Sequence, residues 1–349
     1  MDVRAYIANL AASLEMSDQD CADALAKSER IGAWLRQRLP HVDEVRSFGS
    51  MTRRTSLATL VHGERDVDVI LRIDDGITRY AGEVGPADAL GACLEELRTT
   101  LSANPACSRV AVNRPCLNFE FEQQWFELVP SFHGEEDGNY VFELPIDEWE
   151  FAHWERMQPY LGPGVTPAGG ETGTNPGTKI IASDPWQLTR IVPQYERVYD
   201  FAWRHLVLLL KYWKHIHRLP LPSYVLEFNV MKGLQAGGRF SECHTLFDLL
   251  TVFLGDETLY DAALLHEVPD FGLLQRAVRN ARRLDNQGET EGAAYFMVLL
   301  MPPPAMLAKA DPSKVPDAAR TAAVMDEMEA GYASLLRTSG AAPPETSAR

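Results

Sequence analysis

The chain has 349 residues, of which 46% are hydrophobic and 23% charged, an ordinary globular composition with enough length for two lobes and their cores. Its formal charge of −16, from 49 acidic against 33 basic residues, sets net repulsion against phosphate-rich polymers and weighs against a long nucleic-acid substrate. The five cysteines, Cys21, Cys93, Cys107, Cys116 and Cys243, are scattered, odd in number and without a CxxC pair, which argues against a zinc site and a disulfide framework.

Residues 4–39 read as helices: Ile7, Leu10 and Leu14, then Ala24, Ile31, Leu35 and Leu39, recur at helical spacing, and Pro40 closes the run. The opening MDVRAYIANL lacks a basic then apolar leader, and no stretch of about 18 uncharged apolar residues follows, so no membrane segment is expected and a cytoplasmic location is. A strand-like VRSFGS leads through the loop MTRRTSLATLVHGER into DVDVILRI, a strand whose alternation puts Asp66 and Asp68 on one face. A helix near 87–101 and short β runs at 110–112, 117–121 and 125–129 complete an α/β lobe. Residues 158–178, rich in glycine and proline, are expected to form a mobile loop. From Pro193 to Leu300 the pattern is helical; a further helix near 318–336 precedes a disordered tail.

Chemistry concentrates on Gly49-Ser50 at a strand end and Asp66-Val67-Asp68, which begins sixteen residues after Ser50. Phosphoryl transfer asks chiefly that negative charge on the α-phosphate and the departing pyrophosphate be neutralised in fixed geometry. Two carboxylates at i and i+2 of a strand point the same way and can grip two Mg²⁺ ions about 3.5–4 Å apart. A Gly-Ser turn beside them lets backbone approach the phosphates and supplies amide and hydroxyl donors. A third carboxylate is expected on a neighbouring strand, and Glu127 in WFELVPSF is the candidate, ahead of Glu120 and Glu122. Farther on, Lys211 in LLLKYWK and Ser223-Tyr224 in PLPSYVLEF offer a cation, a hydroxyl and an aromatic face. Arg53 and Arg54 are open to either phosphate contact or a solvated loop. His215 and His217 diverge on their helix, GETGTNPGTK is not a P-loop, and Trp125, Trp149, Trp154, Trp186, Trp203 and Trp213 read as packing residues.

The ordered set SFGSMTRRTS, ERDVDVILRI, FELVPSF, SDPWQ, LLLKYWK and PLPSYVLEF, spanning Arg46 to about Lys232, resembles the cGAS/DncV-like nucleotidyltransferases (CD-NTases) of the polymerase-β-like superfamily. Glu127 departs from the usual Asp of the third motif. The resemblance implies an α+β, bilobal fold: a polymerase-β-like core, a mixed sheet with helices, plus a mainly helical C-terminal lobe. It divides the chain into N-terminal helices packing on the core (1–40), a catalytic lobe (41–185), a helical lobe (186–302) and a C-terminal helix and tail (303–349). It also implies that Asp66, Asp68 and Glu127 bind two Mg²⁺, with Mn²⁺ a possible substitute, and that Gly49, Ser50, Lys211 and Ser223 hold the donor triphosphate while Tyr224 stacks on its base. Nucleoside triphosphates would serve as donor and acceptor, and a cyclic oligonucleotide would act as a second messenger in bacterial antiphage signalling alongside regulatory or effector proteins. The alternatives on the same motifs are a nucleotidyltransferase making a linear product or modifying a macromolecule, and a non-catalytic nucleotide sensor.

Overall fold

The alternating residues of DVDVILRI form a strand whose apolar half anchors one of two compact units. A computed structural model describes residues 1–58, 66–73, 79–80, 86–113, 116–136, 139–147, 178–183, 186, 189–190, 192–193, 196–197, 202–219, 221, 223–235, 240–260, 268, 271–307, 322–324, 326–327 and 330. Most of the 158–178 loop and of the expected helix at 318–336 lies outside the described residues; Thr178 already opens a strand.

The sheet unit, Glu15–Arg204, carries β1 (Val42–Ser47), β2 (Asp66–Ile73), β3 (Cys107–Asn113), β4 (Cys116–Phe121), β5 (Gln124–Glu136), β6 (Asn139–Asp147) and β7 (Thr178–Ser183). The order is β1-β2-β5-β4-β3, with β6 pairing the far half of β5 and β7 beyond it. Only β2–β5 is parallel among these pairings, so the sheet is mixed. On one face Val67, Val69, Leu71 and Ile73 of β2 meet Phe126 and Leu128 of β5 and Leu117, Phe119 and Phe121 of β4. Helices α2 (Asp18–Arg38) and α4 (Pro86–Ser102) cover that face, with Ile31, Leu35, Leu94 and Leu97 in the same core. Truncating a core ring such as Phe119 to alanine costs about 3–5 kcal/mol.

Local signals explain why α2 forms where it does. Ser17 accepts from the Asp20 amide at 3.0 Å as N-cap, Asp18 and Asp20 lie in the first turn and Arg36 and Arg38 in the last, matching the helix dipole at both ends. Gly32 brings the helix against β1: a Cβ there would come within 3.0 Å of the Val45 Cβ. With one face of the sheet packed, strand alternation turns Asp66 and Asp68, Trp125 and Glu127, and Asn118 and Glu120 to the other.

The helical unit joins Met1–Leu14 to His205–Arg349. It contains α1 (Val3–Leu14), most of α5 (Ala202–Ile216), α6 (Ser223–Gln235), α7 (Leu246–Gly255), α8 (Phe271–Asn286) and α9 (Thr290–Leu300). Buried Val3, Tyr6, Ile7, Leu10 and Leu14 form one stripe of α1, which packs on α7 and α9. The Tyr6 hydroxyl donates to the Met301 carbonyl, Arg4 pairs with Asp285 at 2.6 Å, and the terminal amino group meets Glu291 at 3.1 Å. The expected helical layer over 1–40 thus divides at Leu14, because the two helices bury their stripes in different cores. The sheet unit also continues past residue 185: Trp186 is buried and donates to the Ser47 carbonyl at 3.0 Å, and Arg204 pairs with Glu196 at 2.7 Å. No helix of the described residues is long and apolar enough to cross a membrane.

Candidate active site

Asp68 is tied to the Gly-Ser turn from both backbone and side chain. The Phe48 amide donates to the Asp68 carbonyl at 3.0 Å as β1 ends, and the chain then turns into the single-turn helix α3 (Gly49–Thr52). Gly49 has φ +73°, a left-handed conformation, and a Cβ on it would lie 2.6 Å from the Asp68 Cγ and 2.9 Å from its Cβ. Glycine is required there twice over, by conformation and by room for the carboxylate. The turn is closed by the Thr52 hydroxyl on the Gly49 carbonyl at 2.9 Å and the Thr55 amide on the Ser50 carbonyl at 2.9 Å, and Ser50 Oγ meets Ser56 Oγ at 2.7 Å.

Across β2 the parallel register sets Asp66 opposite Trp125 and Asp68 opposite Glu127; on β4, Asn118 pairs with Glu127. Asp66 is exposed, while Asp68 and Glu127 are half-buried. The competing acids have other engagements. Glu120 accepts from the Ser108 hydroxyl at 2.9 Å and lies 3.5 Å from the Arg109 guanidinium; Glu122, in the β4–β5 turn, pairs with Arg30 at 2.5 Å, which holds its carboxyl below the usual range. Among the described residues no three His, Cys, Asp or Glu side chains gather tightly enough to hold a metal ion. Register and facing, with the packing of Asp68 on Gly49, bring the acids to one side of the sheet, and their hard oxygen donors suit Mg²⁺.

In the helical unit, Lys211 is buried and ion-paired with Glu227, itself 1% exposed. The cation on Ser223 is instead Lys214, whose Nζ lies 3.1 Å from Ser223 Oγ. Burial first, and then the Lys211 charge, hold the Lys214 ammonium below its ordinary 10.5. Tyr224 is half-buried at the start of α6 beside Ser223. The structure therefore places Asp66, Asp68 and Glu127 on one face of the sheet with Gly49 and Ser50 beside Asp68, and sets Lys214, Ser223 and Tyr224 near one another in the helical unit. No motif singles out Lys214, which follows Lys211 by one helical turn in LLLKYWK. Arg54 pairs with Asp18 at 2.5 Å and Arg53 is buried. Trp186 carries the Arg46 guanidinium 4.3 Å from its ring centroid.

Neither a family profile nor a curated protein matches the chain. Solved structures do. A chain of the E. coli MS115-1 CdnC:HORMA-deltaN complex superposes with a TM-score of 0.57 at 14% identity, covering 87% of this chain and 98% of that one. E. coli MS115-1 CdnC with ATP gives a TM-score of 0.50 at 16% identity, over 73% and 71% of the two chains. The chain shares the fold of these CdnC structures. On this fold the strand that leads into the Gly-Ser turn pairs with the two-aspartate strand, as the motif order predicted, and the mixed α+β architecture agrees with the expected class.

Proposed function

We propose that the chain is a divalent-metal-dependent nucleotidyltransferase that joins nucleoside triphosphates into a cyclic di- or oligonucleotide with release of pyrophosphate. The observation that carries this reading is Asp68, packed on the left-handed Gly49 turn and in register with Glu127. The fold shared with CdnC supports it, and one of the two CdnC structures is of that protein with ATP.

Asp66, Asp68 and Glu127 would hold Mg²⁺, or Mn²⁺ in its place, and the bound ions would neutralise charge on the triphosphate. The chain's own residues do the positioning. Gly49 and Ser50 offer backbone and hydroxyl donors to the donor phosphates beside Asp68, whose carboxylate packs where a Cβ on Gly49 would lie. The acceptor ribose hydroxyl forms the new bond to the α-phosphorus as the α–β anhydride bond breaks, its proton passing to Glu127 and pyrophosphate leaving on the opposite side. A second transfer within the linear intermediate closes the ring.

Ser223 with Lys214 contacts the donor phosphates, and Tyr224 stacks on the base. Lys211, the family's expected phosphate lysine, acts through its pair with Glu227, which neutralises it and leaves Lys214 as the cation facing Ser223. The product serves as a second messenger of bacterial antiphage signalling in the cytoplasm, with a protein regulator or effector as partner; the CdnC:HORMA-deltaN assembly is a precedent for such pairing on this fold.

The test is to incubate the protein with the four nucleoside triphosphates and Mg²⁺ or Mn²⁺, treat with phosphatase and resolve the products. A phosphatase-resistant nucleotide that disappears in Asp68→Asn is expected. Products wholly sensitive to phosphatase would remove cyclisation, and pyrophosphate release that survives Asp68→Asn would remove the site.

A further inference from the structure

We infer that Arg109 and Trp125 form a stacking platform for the base of the acceptor nucleotide, an assignment that rests on the reading of Asp66 and Asp68 as the metal-holding pair and adds where the second substrate lies. In-line displacement places the attacking and leaving oxygens on opposite sides of the α-phosphorus. The Gly49-Ser50 turn adjoins Asp68 from the β1 side of β2, so the donor's pyrophosphate departs toward that side. The acceptor then arrives from the other side, over β5, β4 and β3.

That side of the sheet carries a built feature. Trp125 is in register with Asp66, Glu120 with Trp125, and Ser108 with Glu120, so a row of side chains leads from the catalytic strand to β3 on the face away from the core. The β3–β4 register shifts between Ser108 and Ala111, leaving Arg109 and Val110 together opposite Phe119. Arg109 sits in that irregularity with φ +50°. A bulge re-aims a side chain, and here the guanidinium reaches past β4 to lie 5.6 Å from the Trp125 ring centroid.

A carboxylate stands beside the guanidinium as well. Glu120 Oε2 lies 3.5 Å from Arg109 Nε and is itself held by the Ser108 hydroxyl at 2.9 Å. The Arg109 side chain is 63% exposed. Because Glu120 already balances the arginine's charge, the platform suits an uncharged aromatic ring better than a triphosphate. Bases stack on guanidinium planes and on indole, and such stacking is tolerant of base identity. The platform therefore locates the acceptor's base without choosing which base it is.

An acceptor-only probe separates this site from the donor's. A nucleoside 5′-monophosphate presents its ribose hydroxyl but has no α–β anhydride bond to break, and without β- and γ-phosphates it lacks what the donor site grips. It is titrated, for each of the four bases, against a fixed low concentration of ordinary triphosphates, with pyrophosphate release as the signal. In Arg109→Ala and Trp125→Ala its half-saturating concentration is expected to rise about ten- to a hundredfold, while that of the donor moves less than about twofold. Arg109→Lys keeps the charge and loses the plane, so it should behave as Arg109→Ala; Trp125→Phe keeps an aromatic face and should recover most of the affinity, which guards against a folding artefact. Wild-type behaviour in Arg109→Lys, or an unmoved acceptor curve in Arg109→Ala, overturns the platform alone. Wild-type protein that releases no pyrophosphate, or release indifferent to Asp68→Asn, overturns the carboxylate reading and the platform with it.

Discussion

Gly49 and Asp68 are fitted to one another so closely that the space a methyl group would take on the glycine is already filled by the aspartate's carboxylate. Gly49→Ala must therefore both strain a left-handed backbone, at about 1–2 kcal/mol, and push the carboxylate off the turn. The expected result is a fall in pyrophosphate release of at least about a hundredfold with a modest drop in melting temperature. Activity within a few-fold of wild type would show that the packing of this pair is immaterial to turnover.

Asp66→Asn and Asp68→Asn should each remove turnover nearly completely, and the double variant should be little worse than either, because groups that act as one unit fail together. Both residues lie on the face of the sheet away from its core, so thermal unfolding should stay near wild type. Glu127→Gln is expected to cost at least about a hundredfold; a loss below about tenfold would move the third carboxylate's role elsewhere.

The Lys211–Glu227 pair makes a stability prediction that is independent of activity. Both side chains are 5% exposed or less, so Lys211→Met strands a carboxylate in the core and should destabilise the fold by about 3–5 kcal/mol. Replacing both partners, Lys211→Met with Glu227→Leu, should recover most of that loss in denaturant titrations. A double variant as unstable as the single one would mean that the pair is not what the lysine contributes.

Lys214 links pH to both stability and binding. Its folded pKa is lowered from 10.5, so the folded protein releases this proton before the unfolded chain does. Stability consequently rises with pH across the window between the lowered value and 10.5, and at neutral pH, where both states are protonated, the penalty is at its full size. Lys214→Met should then be as stable as wild type or more so near neutrality, with the difference fading toward pH 10.5. Phosphate beside Ser223 would favour the charged ammonium, so triphosphate binding should take up protons in that window. Calorimetry in two buffers of different ionisation enthalpy reads this directly. Proton-neutral binding that survives Lys214→Met unweakened would dismiss the residue as a phosphate contact.

Much of this was visible in the sequence wherever a local rule and a global one agreed. The strand over Asp66–Ile73 matches its alternation end to end, and α4 matches the 87–101 periodicity within a residue or so, because each buries one face against the same core. The Gly-Ser turn and its neighbour Asp68 were legible for a similar reason: only glycine has both the conformation and the room. What spacing did not reveal was which partner a charged side chain takes. Lys211 reads as a phosphate lysine, but its contact with Glu227, sixteen residues away, depends on how α5 meets α6. Arg109 was invisible because its position comes from a shift of strand register, and no motif marks that shift. The division of the two leading helices between cores was likewise hidden, since both stripes are equally apolar and neither names its destination.

The home of α1 has a consequence for how the molecule is made. Its partners on α7 and α9, and the Met301 carbonyl that receives the Tyr6 hydroxyl, are translated some 230 residues and more after α1 itself. This helix must wait with its apolar stripe uncovered while the whole sheet unit is synthesised and folds, and the helical bundle can be sealed only by a segment made before the sheet. Lesions in α1 and in α9 should therefore produce the same failure, an unfinished bundle.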